Sequence, residues 1–194
     1  MTFPKRLLDI VLGSILLLTC LPLALLIALL VRLDSPGPVL FRQCRIGFNG
    51  RPFHILKFRT MHVLEDGQAV VQAAPHDPRV TRLGRLLRKL SLDELPQLIN
   101  VLAGDMSLVG PRPHAAVHDD YYGKRIANYA YRRHVRPGIT GWAQINGARG
   151  ATPTLSDMQA RADLDAWYVD HGSLAIDLVI LLRTPMEVLH GDRD

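Results

Sequence analysis

The chain opens on one long apolar block and then breaks into short, mixed segments. From Ile10 to Val31 it reads IVLGSILLLTCLPLALLIALLV, 22 residues without a charge, and about 20 apolar residues are what a helix needs to cross a bilayer core. The block is too long for a signal peptide, and no small-residue cleavage site precedes Arg32. Pro22 lies near its middle, where it removes a helix hydrogen bond and kinks the chain. Both flanks are basic, with Lys5 and Arg6 before the block and Arg32, Arg42, Arg45 and Arg51 after it, and basic flanks favour the cytoplasmic side. Two topologies fit. A spanning helix would carry one basic flank across the membrane. A helix broken at Pro22 would re-enter one leaflet, each half of about a dozen residues reaching ~18 Å. Either attaches the chain to a membrane.

Asp34-Ser35-Pro36-Gly37-Pro38 is a strong break and divides the chain into a membrane segment, 1–34, and a second region, 35–194. Val39–Gln43 and Phe53–Arg59 alternate in polarity around Phe48-Asn49-Gly50-Arg51-Pro52, which predicts a β-hairpin turning at Asn-Gly. Phe53, Ile55, Lys57 and Arg59 share one face of its second strand. Glu65–Pro78 reads as a polar loop. Arg79–Lys89 is helical, with Leu83, Leu86, Leu87 and Leu90 on one side and Arg79, Arg82, Arg85 and Arg88 on the other, mainly as a solvated face. A further helix runs from about Asp93 to Leu102 and stops at Gly104. Gly110-Pro111-Arg112-Pro113 is a rigid turn, Tyr121–His134 a basic, tyrosine-rich helix, and Arg136–Gly147 irregular. Leu155–Val169 is helical. Ser173–His190 is apolar but interrupted by Pro185, which suits packing on the core or lying in the membrane interface.

Charge and composition narrow the partners. A net charge of +5 and a pI near 9.6 favour anionic ligands. Aromatic residues make up only 6% of the chain, too few to supply stacking platforms for single-stranded nucleic acid, so no nucleic-acid partner is expected. Cys20 and Cys44 form no CxxC pattern, which suits a reducing compartment and excludes a cysteine zinc site.

One stretch carries candidate chemistry: Ser91-Leu92-Asp93-Glu94-Leu95-Pro96-Gln97. Ser91-x-x-Glu94 has the form of a capping box, and Pro96 requires a helix start nearby. Both carboxylates would then lie in a first turn, where the helix dipole favours the ionised form by about 0.3–1 kcal/mol and free N–H groups can bind phosphate. Adjacent helical positions diverge by about 100°, so the two acids cannot face each other as an acid–base pair. They could instead divide the work, one aimed at a phosphorus and the other holding a divalent cation. Cap and chemistry both remain open at this level. His114-x-x-x-His118 has helical metal-ligand spacing without the glutamate of HExxH and reads as coincidence. The glycines from Gly138 to Gly150 make neither GxGxxG nor a Walker loop.

Taken in order, Lys5-Arg6-x-x-Asp9, Ser35-Pro36-Gly37-Pro38, Lys57-Phe58-Arg59-Thr60-Met61, Ser91 to Gln97, Gly104-Asp105-Met106-Ser107-Leu108-Val109-Gly110-Pro111-Arg112-Pro113 and Arg136-Pro137-Gly138-Ile139-Thr140-Gly141-Trp142-Ala143-Gln144 cover nearly the whole chain. The run resembles the bacterial sugar transferase family, the monotopic polyprenyl-phosphate phosphoglycosyl transferases. The resemblance implies transfer of a sugar 1-phosphate from a UDP-sugar to undecaprenyl phosphate with release of UMP, the step that initiates exopolysaccharide, capsule or O-antigen synthesis. It implies Asp93 as nucleophile through a phosphosugar-aspartate intermediate and Glu94 as the Mg²⁺-associated residue. Arg88 and Arg112 are assigned to phosphate, with Lys57 and Arg59 as further candidates and Pro111, Pro113 and Arg136 completing the substrate-binding set.

The resemblance also implies an α+β, mostly helical fold: a re-entrant helix broken at Pro22, a small hairpin, and interfacial helices around a catalytic core at the cytoplasmic face of the bacterial inner membrane. Leu21 stands where the family carries a serine before that proline. The segments VVQAAPHDPRVTRLG, GPRPHAAVHDDYY and QINGARGATPTLSDMQARADLDAWYV look more like glucose 1-phosphate transferases than enzymes for N-acetylated sugars, with galactose undecided. Membrane lipid is a further implied partner, and a homodimer is left open. The competing readings are a glycosyltransferase that moves the sugar alone and releases UDP, and a non-catalytic basic membrane adaptor.

Overall fold

A computed structural model describes residues 2–62 and 77–190; most of the polar loop expected over Glu65–Pro78 lies outside the described residues. The apolar block forms α1 (Phe3–Asp34), a 32-residue helix, long and apolar enough to cross a membrane by length and composition. The expected break at Pro22 does not interrupt it: Pro22 lies inside α1. A proline removes one N–H donor, and the turns on either side can stay helical at that cost. Just before it, the Thr19 hydroxyl donates back to the carbonyls of Ile15 and Leu16 at 2.8 and 3.1 Å, a back-bonding pattern that bends helices.

Both ends of α1 are held by the rest of the chain. Near the start, the buried Asp9 carboxylate accepts from Ser107 Oγ at 3.0 Å and Leu108 N at 2.9 Å. One turn earlier, Lys5 Nζ donates to Asp177 at 2.6 Å, the Tyr168 hydroxyl at 3.0 Å and Val109 O at 3.1 Å. Arg6 donates to the carbonyls of Val101 and Leu102 at 2.6 and 2.8 Å. Lys5-Arg6-x-x-Asp9 is therefore a docking device. Near the other end, Ile27 and Val31 pack with Phe58 and Leu87. Between them Leu18, Leu21, Leu25 and Leu26 stay exposed.

The hairpin forms as the alternation predicts. β1 (Leu40–Ile46) pairs antiparallel with β2 (Pro52–Phe58), Phe41 opposite Lys57. Asn49 and Gly50 turn it with φ of 53° and 75°, the left-handed region that Asn and Gly tolerate best. α2 (Arg82–Lys89) starts one turn later than Arg79, at a Thr81 hydroxyl that accepts from Gly84 N; Arg79 instead pairs with Asp77 at 2.7 Å. α3 (Gln97–Ala103) ends at Gly104 in a left-handed conformation, as expected. Asn100 on α3 accepts from Leu56 N at 3.0 Å and donates to His54 O at 2.8 Å. It thereby seals the open edge of β2 against α3.

The remainder departs further from the pattern reading. β3 (Ser107–Val109) and β4 (Gly138–Thr140) form a second, parallel two-stranded sheet across a connection that the apolar pattern does not reveal. The helix expected over Tyr121–His134 is instead α4 (Ala116–Gly123) followed by a 3-10 turn over Tyr129–His134. α5 (Trp142–Ile145) occupies the stretch expected to be irregular. α6 (Leu155–His171) is capped by a reciprocal Thr154–Asp157 box. α7 (Leu174–His190) continues through Pro185, burying Ile180 completely while Leu178, Leu182 and Met186 remain exposed. The main core joins α1, β2, α3, β3, α6 and α7 through Ile55, Leu98, Val101, Met106, Leu108, Tyr168 and Ile180. The fold is α+β and mostly helical.

Candidate active site

The paired acids sit in a tight corner between α2 and α3. α2 ends at Lys89, and Ser91 turns the chain with φ 59° and ψ 16°. A 3-10 turn over Leu92–Glu94 follows, and Pro96 then occupies the N-cap of α3. The capping box expected from Ser91-x-x-Glu94 is not formed. Ser91 caps nothing with its side chain; its hydroxyl accepts from Arg149 at 2.8 Å. The acids precede α3 rather than lying in its first turn, so the dipole and free N–H groups of a helix start do not explain them. The proline restricts where the helix begins, and tertiary cations claim the side chains.

Those cations come from two other elements. Arg112, in the rigid Gly-Pro-Arg-Pro turn, holds Glu94 with both guanidinium arms, at 2.5 Å to Oε1 and 3.1 Å to Oε2. Lys57, from β2, lies 3.0 Å from Glu94 Oε1 and 3.8 Å from Asp93 Oδ2. Phe53, Ile55 and Lys57 do share a strand face, and the Asn100 clamp aims that strand at the corner. Asp93 and Glu94 are only 6% and 5% exposed, so both act in a poorly hydrated setting where charge interactions are strong. The Glu94 carboxylate raises the pKa of Arg112 further above its usual value, whereas burial lowers that of Lys57 against the opposing pull of Glu94.

Behind Arg112 stands a second layer. Arg132 donates to the Arg112 carbonyl and pairs with Asp165 of α6 at 2.8 Å. Pro113 O accepts from Arg45 at 3.1 Å and Pro111 O from Gly138 N at 2.9 Å. The two prolines thus shape the backbone that presents Arg112. His114 is not on a helix with His118; it precedes α4 and contacts the Tyr129 hydroxyl and Arg132. Burial, and then Arg132, keep the His114 ring well below its ordinary pKa and hence neutral. Arg161 is pushed down to about 10 by burial and by the charges of Arg112 and Arg132. Arg112, Arg132 and Arg161 thus gather behind the acids, and Glu94 and Asp165 pair with two of them.

Two expected site residues, Arg59 and Arg136, lie elsewhere, while Arg88 ends the helix that leads into the dyad. Arg59 is buried at the end of α1, where its guanidinium donates to the carbonyls of Val31 and Ser35; it closes a helix end and does not face the dyad. Arg136 lies at the opposite end of α3, where a Cβ on Gly104 would be 4.0 Å from its guanidinium. Arg88 is in the last turn of α2, half-buried, its carbonyl accepting from Ser91 N at 3.1 Å. Three residues that the motif reading passed over build the site: Asn100, Arg132 and Arg149. Of these, Arg149 stood out locally as the charged residue of Gly147-Ala148-Arg149-Gly150 and Arg132 only as one of several basic residues of its segment.

A mostly helical chain with one N-terminal helix long and apolar enough to cross a membrane carries two buried acids pinned by an arginine and a lysine, and these features set the class of protein to compare it with. The family described as bacterial sugar transferase matches residues 1–191, and the chain belongs to that family. It is 56% identical over 188 residues to a UDP-glucose:undecaprenyl-phosphate glucose-1-phosphate transferase of Caulobacter vibrioides, covering 97% of this chain and 70% of that one. A protein of the same name from Escherichia coli is 52% identical over 180 residues, 93% of this chain but 39% of the relative. An exopolysaccharide production protein of Rhizobium leguminosarum is 43% identical over 189 residues, 95% and 94% of the two chains.

Proposed function

We propose that the chain transfers glucose 1-phosphate from UDP-glucose to undecaprenyl phosphate, releasing UMP, and so initiates an exopolysaccharide at the cytoplasmic face of the inner membrane. The names of the relatives support the donor and acceptor. The observation that carries the chemistry is the division of labour between the acids: Glu94 is held by Arg112 on both oxygens, and Asp93 stands beside it 3.8 Å from Lys57.

In the first step a carboxylate oxygen of Asp93 attacks the β-phosphorus of the UDP-sugar. The bond from that phosphorus to the oxygen bridging the α-phosphate breaks, and its electron pair leaves with UMP. In the second step a phosphate oxygen of the lipid attacks the phosphorus of the phosphosugar-aspartate, and the carboxylate leaves. Neither step requires proton abstraction, because both nucleophiles arrive ionised. Two adjacent acids that cannot form an acid–base pair therefore suit the reaction. Lys57 and Arg112 supply the positive charge that phosphoryl transfer needs around its oxygens.

A divalent cation fits this donor set in one way. Magnesium is typically held by one or two carboxylates together with substrate phosphates, and Glu94, the expected metal residue, would offer one carboxylate, whose oxygens Arg112 and Lys57 hold in this structure; the described residues contain no cluster of three or more His, Cys, Asp or Glu that could form a protein cage. When bound, Mg²⁺ would neutralise diphosphate charge.

Incubated with UDP-glucose alone, the protein is expected to gain a phosphosugar adduct on Asp93, seen by intact mass, and to release UMP. Asp93→Asn is expected to abolish both. Release of UDP, or an adduct that survives Asp93→Asn, would overturn the mechanism. A screen of UDP-glucose, UDP-galactose and UDP-N-acetylated sugars by UMP release reads the sugar.

A further inference from the structure

A cavity of about 390 Å³ opens between α1, α3 and α7 directly beside the dyad. Its walls are apolar, formed by Leu12, Leu16, Leu98, Ile139, Leu181 and Val188. Two of its polar groups satisfy each other, the hydroxyls of Thr140 and Thr184 at 2.8 Å. The rest of its polarity includes Ser91, Gln144, Glu94, Glu187 and Arg149, the last being the one cationic lining residue among the described residues. The guanidinium of Arg149 donates to Ser91 Oγ at 2.8 Å and to the carbonyl of Glu187. Both acceptors are neutral, and no carboxylate lies within ion-pair distance of Arg149 among the described residues. Burial and then Arg112 lower its pKa, while the carboxylates of Glu94 and Glu187, which also line the cavity, oppose that shift; a further anion would favour its charged form. Gln144, 8% exposed, also lines the cavity; its Nε2 donates to Ile139 O while its buried Oε1 has no protein partner among the described residues.

The same cavity is lined by Cys20, near the middle of α1 and two residues from Pro22. Around it Leu18, Leu21 and Leu25 are exposed on the membrane helix. The cavity thus runs from Glu94 of the dyad to the apolar surface of α1. A ligand that fills it has one anionic end and a long apolar body. A sugar or a nucleotide would leave leucine and isoleucine walls unmatched and would bury its own hydroxyls without partners.

We infer that this cavity seats the lipid acceptor: its phosphate on Arg149 and the Ser91 hydroxyl, within reach of Asp93, and its first isoprene units along Leu12, Leu16, Ile139 and Leu181. The inference rests on the reaction proposed above and assigns the subsite for its second substrate. The remaining isoprenoid chain leaves past Cys20 into the bilayer. The UDP-sugar then approaches from the Arg112 and Lys57 side, so the two substrates reach Asp93 in turn from different directions.

Cys20 allows a test that does not depend on turnover. In a Cys44→Ser protein in nanodiscs, maleimide labelling of Cys20 is expected to slow at least about tenfold with undecaprenyl phosphate, and far less with undecaprenol or phosphatidylglycerol. In steady-state assays Arg149→Ala is expected to raise the KM for undecaprenyl phosphate at least about tenfold, the loss of one charge-assisted contact, with the KM for the UDP-sugar moving much less and Arg149→Lys recovering part of the loss. Equal protection by phosphatidylglycerol would make the cavity a general lipid site and overturn the assignment. Equal protection by undecaprenol, or an unchanged lipid KM in Arg149→Ala, would overturn the phosphate position. Absence of the Asp93 adduct with UDP-sugar alone would instead sink the reaction itself, so the two failures are distinct.

Discussion

Glu94 is held by one guanidinium on both of its oxygens, and that geometry belongs to arginine. A lysine at position 112 would keep the charge but could reach only as a single point. Arg112→Lys is therefore expected to reduce the rate of UMP release by about 10- to 100-fold, the loss of one charged hydrogen bond at roughly 1.5–3 kcal/mol, with the protein still folded. His114 makes a different prediction, about pH. Its folded pKa lies well below 6.5 because it is buried and faces Arg132, Arg161, Arg45 and Arg112. In the unfolded chain it binds a proton near pH 6.5, so the unfolded state holds more protons and stability falls as pH drops below that value. His114→Gln should flatten the acid side of a thermal-unfolding profile in detergent by up to about 1.4 kcal/mol per pH unit. An unchanged slope would remove His114 from that role.

Among the elements, the junction of α2 with the segment after β2 has little tolerance. Gly84 lies on the inner face of α2, and a Cβ there would collide with the Thr60 carbonyl, while Thr81 N donates to the same carbonyl at 3.0 Å. Alanine favours a helix over glycine by about 1 kcal/mol, but the clash reverses the sign. Gly84→Ala is expected to destabilise the protein by about 1–3 kcal/mol, read as a lower unfolding temperature, and to disturb the dyad that follows α2. The hairpin was legible because its alternation and its Asn49-Gly50 turn are local facts. The parallel pair of β3 and β4 was not, since Ser107 opposite Gly138 is a pairing across a long connection, and each strand is only 3 residues long. Tyr121–His134 looked helical because its composition is helical, but the chain divides it between a short helix and a 3-10 turn that brings Arg132 to Arg112.

The largest consequence at the scale of the whole molecule concerns topology. Asp9 is fixed to β3 and Val31 to β2 and α2, and Asn100 ties β2 to α3. Both ends of α1 therefore grip one folded body, although α1 runs between them without the break at Pro22 that the re-entrant path was expected to have. Single cysteines at Thr2 and Pro36, both exposed, introduced into a protein lacking Cys20 and Cys44, are expected to label with an impermeant maleimide from the same membrane face. Labelling from opposite faces would restore the spanning helix.

The sequence by itself determined the long apolar helix, the hairpin and where α2 and α3 stop, and it singled out the paired acids, because apolar length, alternation, turn residues and a run of motifs are properties of neighbours along the chain. It also suggested a capping box for Ser91 and Glu94, since spacing is all that such a box needs. Only the tertiary structure decided what those side chains hold: Glu94 goes to Arg112 and Lys57, Ser91 to Arg149, and Arg59 to the end of α1. Each is a choice among cations far apart in sequence. Packing brings those groups within about 3 Å, where charge in a dry corner outweighs any local cap.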